Sequence, residues 1–271
     1  MLPTFGPRTL SSIQRSDIQA WASTLAGRLA PTTVATVYKE LAGVFREAVH
    51  DGVLNVSPCR RISLPKPAHG QITPLLVEQV HRIVEHTPVR YQALMVLCAG
   101  CGLRQGEALG LTVDRVDFLR RTVRIDRQML TPARGTPRFG PPKTPASVRT
   151  VPLPRIVGDR MAAHLTVFGE GPDRLLFTSA AGAPLRRNWT GGMMRRTVAA
   201  AGLPATVTMH DLRHFYASLL IAEGQSVKVV QNRLGHRSAV ETLDVYGHLW
   251  PDSETDTMTA VDRALAAVAV S

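Results

Sequence analysis

Cysteines, acidic side chains and long apolar runs are all scarce in this 271-residue chain, and each shortage closes off a class of protein. The 3 cysteines are an odd count, which argues against a disulfide-stapled secreted scaffold and fits a reducing cytosol. Cys98-Ala99-Gly100-Cys101 has redox-motif spacing, but it ends an apolar, helix-like stretch, and no second cysteine pair exists to complete a zinc site. Two buried thiols are expected there. Uninterrupted apolar stretches fall far short of the ~20 residues that span a bilayer. The N-terminus also lacks the charged-then-apolar order of a secretion signal. A soluble, cytoplasmic protein without membrane attachment is therefore expected. The shortage of acid is the most telling, because 21 Asp+Glu face 32 Lys+Arg and leave a formal charge of +11. Such a balance suits a protein that neutralises a polyanion. Most of the basic residues are arginines, with pairs at Arg60-Arg61, Arg120-Arg121, Arg186-Arg187 and Arg195-Arg196. Any one pair would be unremarkable on a solvated face; their sum points to nucleic acid.

The length favours two domains, and a boundary is visible where Pro58, Pro65, Pro67 and Gly70 interrupt every periodicity. Residues 1–60 read as a small all-helical domain. One helix is capped by Ser16 and carries Ile18, Trp21, Leu25 and Leu29, and a second is opened by Pro31 and stopped by Gly52. Residues 61–73 read as an extended basic linker. Residues 74–271 read as a larger domain of mixed content. A helix starts at Thr73-Pro74 and runs to about His86, an apolar helix follows, and residues 122–128 and 147–153 alternate like strands around a Pro/Gly-rich loop. Further helices are expected over 155–168, 186–201, 210–223, 226–234 and 238–246, then a weakly amphipathic tail with Leu265, Val268 and Val270. The fold class is mostly α with a small antiparallel β-sheet, α+β.

Dispersed through the larger domain are residues suited to attack on a phosphodiester. Its non-bridging oxygens carry charge that repels a nucleophile, and planar arginine forks stabilise that charge as the transition state forms. Arg104 stands in Gly102-Leu103-Arg104-Gln105-Gly106-Glu107, after an apolar run that leaves its charge in want of a partner. Arg213 stands in His210-Asp211-Leu212-Arg213-His214, three residues after His210, so on a helix the two share one face. His236 follows in Leu234-Gly235-His236, and Tyr246 lies further on. A phenol with its pKa near 10 needs surrounding cations and a base to attack. Lys143, in Pro141-Pro142-Lys143-Thr144, is a donor for the departing sugar oxygen if it sits on a hairpin tip free to swing inward. Taken singly, an arginine is usually a solvated side chain and a lone tyrosine a half-buried core residue. His210 and His214, spaced i,i+4, are also how a helix presents two zinc ligands, but Asp211 stands where a general-base glutamate is expected.

The ordered set, GLRxGE, a lysine before RxVPL, HxLRH, LGH and YxH, resembles the tyrosine recombinases, or phage integrases, over roughly residues 70–250. The resemblance implies a recombinase catalytic fold behind a helical core-binding domain, here short at its N-terminus. It implies Tyr246 as the nucleophile joined to a DNA 3′-phosphate. Arg104, Arg213 and His236 would hold the non-bridging oxygens, with Lys143 as general acid and His210 as general base. Glu107 would orient a partner in the arginine helix, and Asp211 would brace the histidine–arginine turn. Arg60, Arg61 and Lys66 would lie along a DNA backbone. The implied activity is site-specific strand exchange in double-stranded DNA, needing no metal, ATP or other cofactor. A homotetramer on paired sites, accessory DNA-bending or directionality factors, and a cytoplasmic, nucleoid-associated location go with it. Two alternatives stand beside it: a type IB topoisomerase that only relaxes DNA, and a truncated recombinase that only binds it.

Overall fold

A computed structural model describes residues 1–66, 71–133, 135–250 and 254–266, with side chains from 257 onward in the last segment. The chain divides into two compact units, Met1–Gly70 and Gln71–Ser271. Among the described residues, no helix is long and apolar enough to cross a membrane.

The first unit comprises the short helix α1 (Leu2–Phe5), α2 (Arg15–Ala26) and α3 (Pro31–His50). Phe5, Ile13, Ile18, Trp21, Leu41 and Phe45 form its core, with Phe5 edge-on to Trp21 at 5.5 Å between ring centroids. Pro31 occupies the first turn of α3, where its missing N–H costs nothing. Ser16 does not cap α2. The cap is Gln14, whose backbone N–H donates to Asp17 Oδ2 at 2.9 Å, which places Ser16 inside the first turn. Leu29 falls beyond the helix and is exposed, since α2 ends before Gly27. The chain after α3 is strapped to this unit. Arg15 donates to the Arg60 and Arg61 carbonyls at 3.2 and 2.8 Å, Gln19 pairs with the Ser63 backbone, and Tyr38 donates to the Cys59 carbonyl. The side chains of Arg60, Arg61 and Lys66 are exposed, and Pro67 and Gly70 lie outside the described residues.

The second unit is built on α5 (Val89–Cys101), preceded by α4 (Val77–His86) and followed by the short α6 (Gln105–Leu109). The α4 helix starts later than its prolines suggest, because Gln79 reaches back to accept the Leu76 N–H at 2.8 Å and fixes the first turn there. Cys98 and Cys101 are buried free thiols on α5. Burial pushes both up, Cys101 to about 12, so neither is a reactive thiolate.

Strands β1 (Val116–Asp117), β2 (Thr122–Ile125), β3 (Gln128–Leu130), β4 (Arg138–Gly140) and β5 (Arg149–Pro152) form two antiparallel sheets, ordered β1-β2-β5 and β3-β4. The strand expected over 122–128 is therefore two. Between them Asp126 collects ion pairs from Arg115, Arg124 and Arg127, and the chain turns. In the other expected strand, Ser147 belongs to a 3₁₀ turn ahead of β5. Lys143 is not on a hairpin tip. The tip joins β3 to β4, and Lys143 lies after β4, just before that 3₁₀ turn.

The remaining helices are α7 (Arg155–Phe168), α8 (Arg187–Ala200), α9 (Met209–Ala222), α10 (Val227–Leu234), α11 (Ala239–Tyr246) and α12 (Glu254–Ala266). Both α7 and α9 pack on α5 around a core that includes Leu94, Met95, Leu97, Met161 and Leu212. Val268 and Val270 of the tail lie outside the described residues, while Met258, Val261 and Leu265 of α12 are exposed.

Candidate active site

Two left-handed glycines deliver the arginine and histidine motifs to one place. Gly102 ends α5 at φ +64°, and a Cβ there would stand 2.3 Å from the Tyr216 ring; Gly235 ends α10, also at φ +64°. The first turn aims Arg104 into the cap of α6, and the second aims His236 toward it.

The two turns are joined by Arg213, whose side chain is almost fully buried on α9, at 1% exposure. Its Nη1 donates to the Gly102 carbonyl at 2.7 Å and its Nη2 to the Leu234 carbonyl at 2.6 Å. Burial, then the neighbouring Arg104 charge, pushes the guanidinium down to about 9, which leaves it cationic at neutral pH. Glu107 anchors the other side. Its carboxylate accepts from the Arg104 N–H at 2.9 Å, from Arg104 Nη1 at 2.9 Å and from Arg149 Nη1 and Nη2 at 3.1 and 2.9 Å. Arg104 also donates to Ser147 Oγ and the Gly235 carbonyl, and Arg149 Nε to the Arg233 carbonyl at 2.8 Å. One carboxylate thus sets the positions of two forks, and Arg149 in turn ties β5 to the end of α10.

Burial alone would raise the Glu107 carboxyl, but Arg149, by hydrogen bond and by charge, and then Arg213 and Arg104 hold it below the usual range. A depressed folded pKa means that the stabilisation is complete above the unfolded carboxylate value and is lost as pH falls through the lower folded one. Glu107→Ala strands the buried Arg149 charge and is expected to cost about 3–5 kcal/mol in denaturant unfolding at neutral pH. The penalty should shrink in acid, where the wild-type carboxylate is itself neutralised.

His210, Arg213 and His214 stand on α9, whose cap is Thr208 with Asp211 Oδ2 accepting from the Thr208 N–H at 2.8 Å and hydroxyl at 2.7 Å. His236 is buried, with Nδ1 3.0 Å from Thr242 Oγ1 and its ring stacked at 6.4 Å on Tyr246. Burial, then the Arg213 charge, pushes the His236 imidazole down to about 4. Tyr246, at the end of α11, is 1% exposed, and its hydroxyl lies 2.7 Å from His214 Nδ1. Burial pushes the phenol up to about 12 against the pull of Arg213 and Arg104. A cavity of about 510 Å³ is lined by Arg104, Lys143, His210, Arg213, His236 and Tyr246 together, and also by His214. Lys143 and His210 are exposed, as are Arg237 and Glu241, which also line it. Cation forks, imidazoles and a phenol around one such cavity can hold an oxyanion beside a nucleophile.

Sequence reasoning missed Arg149 and the contact made by His214. Arg149 sits on the face of β5 shared with buried Val151, opposite buried Ile125, and an arginine on an apolar strand face demands a buried acid. That parity was readable. For His214, the i,i+4 spacing offers a zinc geometry that Asp211 argues against, and it gives no sign that Nδ1 faces the Tyr246 hydroxyl.

Comparison with known proteins gives a consistent result. A tyrosine recombinase XerD from Corynebacterium glutamicum is 30% identical over 250 residues, covering 87% of this chain and 73% of its own length. A XerC-like tyrosine recombinase from Caldanaerobacter subterraneus subsp. tengcongensis is 26% identical, with 85% and 66% covered. A putative prophage phiRv2 integrase from Mycobacterium tuberculosis is 28% identical, with 90% and 65% covered. The chain thus spans about two thirds of the length of these curated relatives. Among solved structures, the Tn1549 transposon integrase in complex with transposon right end DNA superposes with a TM-score of 0.79 at 24% identity, covering 96% of this chain and 87% of that one. A lambda integrase dimer bound to a core site gives 0.67 at 18% identity, covering 92% and 86%. The phage integrase family model matches residues 72–252, a span that contains every residue lining the cavity, and the chain belongs to that family.

Proposed function

We propose that the protein is a site-specific recombinase that cuts and rejoins double-stranded DNA through a 3′-phosphotyrosine at Tyr246. The observation that carries this reading is the Tyr246 phenol in one cavity with the Arg104 and Arg213 guanidinium groups. Arg104 and Arg213 hold the non-bridging oxygens with donors beyond those used inside the protein, and His236 adds a third contact. Lys143, exposed at the mouth, protonates the departing 5′-oxygen, and His210 serves proton traffic there. Glu107 and Asp211 hold the arginine turn and the α9 cap. The phosphotyrosine conserves the energy of the broken linkage, so a second 5′-hydroxyl can attack it without ATP or a divalent ion. A groove of about 580 Å³ shares Arg104, Lys143 and His210 with the cavity and continues past Arg187 and Arg195, which suits the flanking DNA backbone. Arg60, Arg61 and Lys66 add exposed charge in the first unit.

Exposed Met258, Val261 and Leu265, spaced as one stripe of α12, favour docking on a neighbouring subunit and hence a homotetramer on paired sites. Accessory bending or directionality proteins, and a cytoplasmic place on the nucleoid, belong to the same reading. The test is a reaction with two DNA sites. Exchange of strands between them is expected; relaxation of supercoils without exchange would assign the chain to topoisomerase chemistry, and binding with neither would make it a DNA-occupying protein. Affinity is expected to fall linearly on a log–log plot against salt, by about 10³–10⁵ between 50 and 200 mM for six to ten neutralised phosphates. A flat response in a filter-binding titration would contradict a DNA partner.

A further inference from the structure

Tyr246 must lose its proton as it attacks, since a neutral phenol is a weak nucleophile. The partner of its hydroxyl is His214, with Nδ1 at 2.7 Å, within ordinary hydrogen-bond range. His214 is half-buried on α9 and lines the same cavity as Arg104 and Arg213. From α11 it is faced by Tyr246, and along α9 by His210, Asp211 and Arg213. Burial first, and then the Arg213 charge, lowers its pKa, while Asp211 raises it; the net shift is downward. The imidazole is therefore neutral at neutral pH, as a proton acceptor must be. The anionic Asp211 favours the imidazolium once it forms. His210 stands edge-on, 4.5 Å from His214 between ring centroids and exposed at the mouth, so it lies one step further along the same line.

We propose that His214 is a catalytic residue that takes the Tyr246 proton during cleavage and returns it during rejoining, with His210 next toward solvent. The inference rests on the recombinase reading above. In cleavage the phenolic O–H breaks as the oxygen–phosphorus bond forms, and the proton passes to His214 Nδ1. The bond from phosphorus to the 5′-oxygen breaks, and that oxygen takes a proton from Lys143. In rejoining, the incoming 5′-hydroxyl gives its proton to Lys143 as it attacks phosphorus, and the departing phenolate recovers its proton from His214. A buried tyrosine commonly has its hydroxyl bonded for stability alone. What separates this pair from that case is its place inside the cation-lined cavity, on the one phenol there.

The test is single-turnover formation of the covalent adduct on a nicked duplex, with DNA affinity and thermal unfolding followed in parallel. His214→Gln keeps a polar partner but cannot take the proton, and it is expected to slow adduct formation by about 10²–10⁴-fold with affinity retained. His214→Gly is expected to recover when imidazole is added, in proportion to its free-base fraction. A Gln variant within threefold of wild type, or faster, overturns the proposal, because the contact is then a support or a restraint and not a proton acceptor. So does a slow Gly variant that imidazole leaves unchanged while it still binds DNA and melts as wild type. Absence of any adduct with the wild-type protein is a different failure, that of the recombinase reading itself.

Discussion

Tyr246→Phe is expected to leave DNA binding intact and to abolish the covalent protein–DNA adduct altogether. The substitution removes one oxygen and keeps the ring, which is buried and stacked on His236. Its structural cost is therefore confined to the hydrogen bond with His214, about 0.5–1.5 kcal/mol. Tyr246 is the one phenol among the lining residues; the others are cations and imidazoles together with Thr144, Gly235, Glu241 and Val245, so the Thr144 hydroxyl is the control to remove beside it. The measurement is a denaturing gel of labelled nicked DNA with each protein, beside an equilibrium binding curve. An adduct that persists in the Phe variant would move the nucleophile elsewhere. Loss of binding together with loss of the adduct would show that the hydroxyl is needed to hold the DNA-binding structure, and not as the nucleophile alone.

Arg213→Ala is expected to have the next largest effect, on chemistry and on stability at once. The guanidinium lines the cavity while donating to the Gly102 and Leu234 carbonyls, so it ties two motifs together and, in the proposed reaction, is also an oxyanion donor. Removing one preorganised donor of this kind costs about 10²–10³ in the chemical step. Each buried carbonyl left without its donor costs a further ~1–3 kcal/mol of stability. Arg213→Lys separates the two effects, because it keeps the charge while giving up the planar fork. It is expected to unfold closer to wild type in a denaturant titration and still to cleave at least about 10²-fold more slowly. DNA affinity should change little in either variant, since it is spread over many phosphates. A Lys variant that cleaves at the wild-type rate would mean that fixed geometry at this position is not required.

Much of the site was legible because its chemistry lies in unusual residues at the ends of ordinary elements. Arg104 and His236 follow glycines that stop helices, His210 and Arg213 share a helix face, and Tyr246 ends a short helix, so local rules placed each of them. What local rules did not reach was pairing across the chain. That Glu107 serves Arg149 as well as Arg104 depends on the register that sets Ile125 against Arg149 and on the close approach of β5 to the end of α10. The i,i+4 spacing of His210 and His214 leaves the use of His214 open once a metal pair is set aside, and only the packing of α11 places its Nδ1 against the Tyr246 hydroxyl. The strand expected over 122–128 is split because alternation extends through it, but Asp126 draws three arginines around it where the chain turns. Lys143 lies off the hairpin tip because the β3–β4 pair, which local alternation does not reveal, takes up the loop before it.

The central claim, a tyrosine that captures a DNA strand, is met most directly by mapping the bond. Wild-type protein incubated with a nicked duplex in EDTA, digested and read by mass spectrometry, should carry a nucleotide 3′-phosphate on Tyr246. Attachment to another residue, or no attachment at all under conditions where the duplex is bound, would contradict the account.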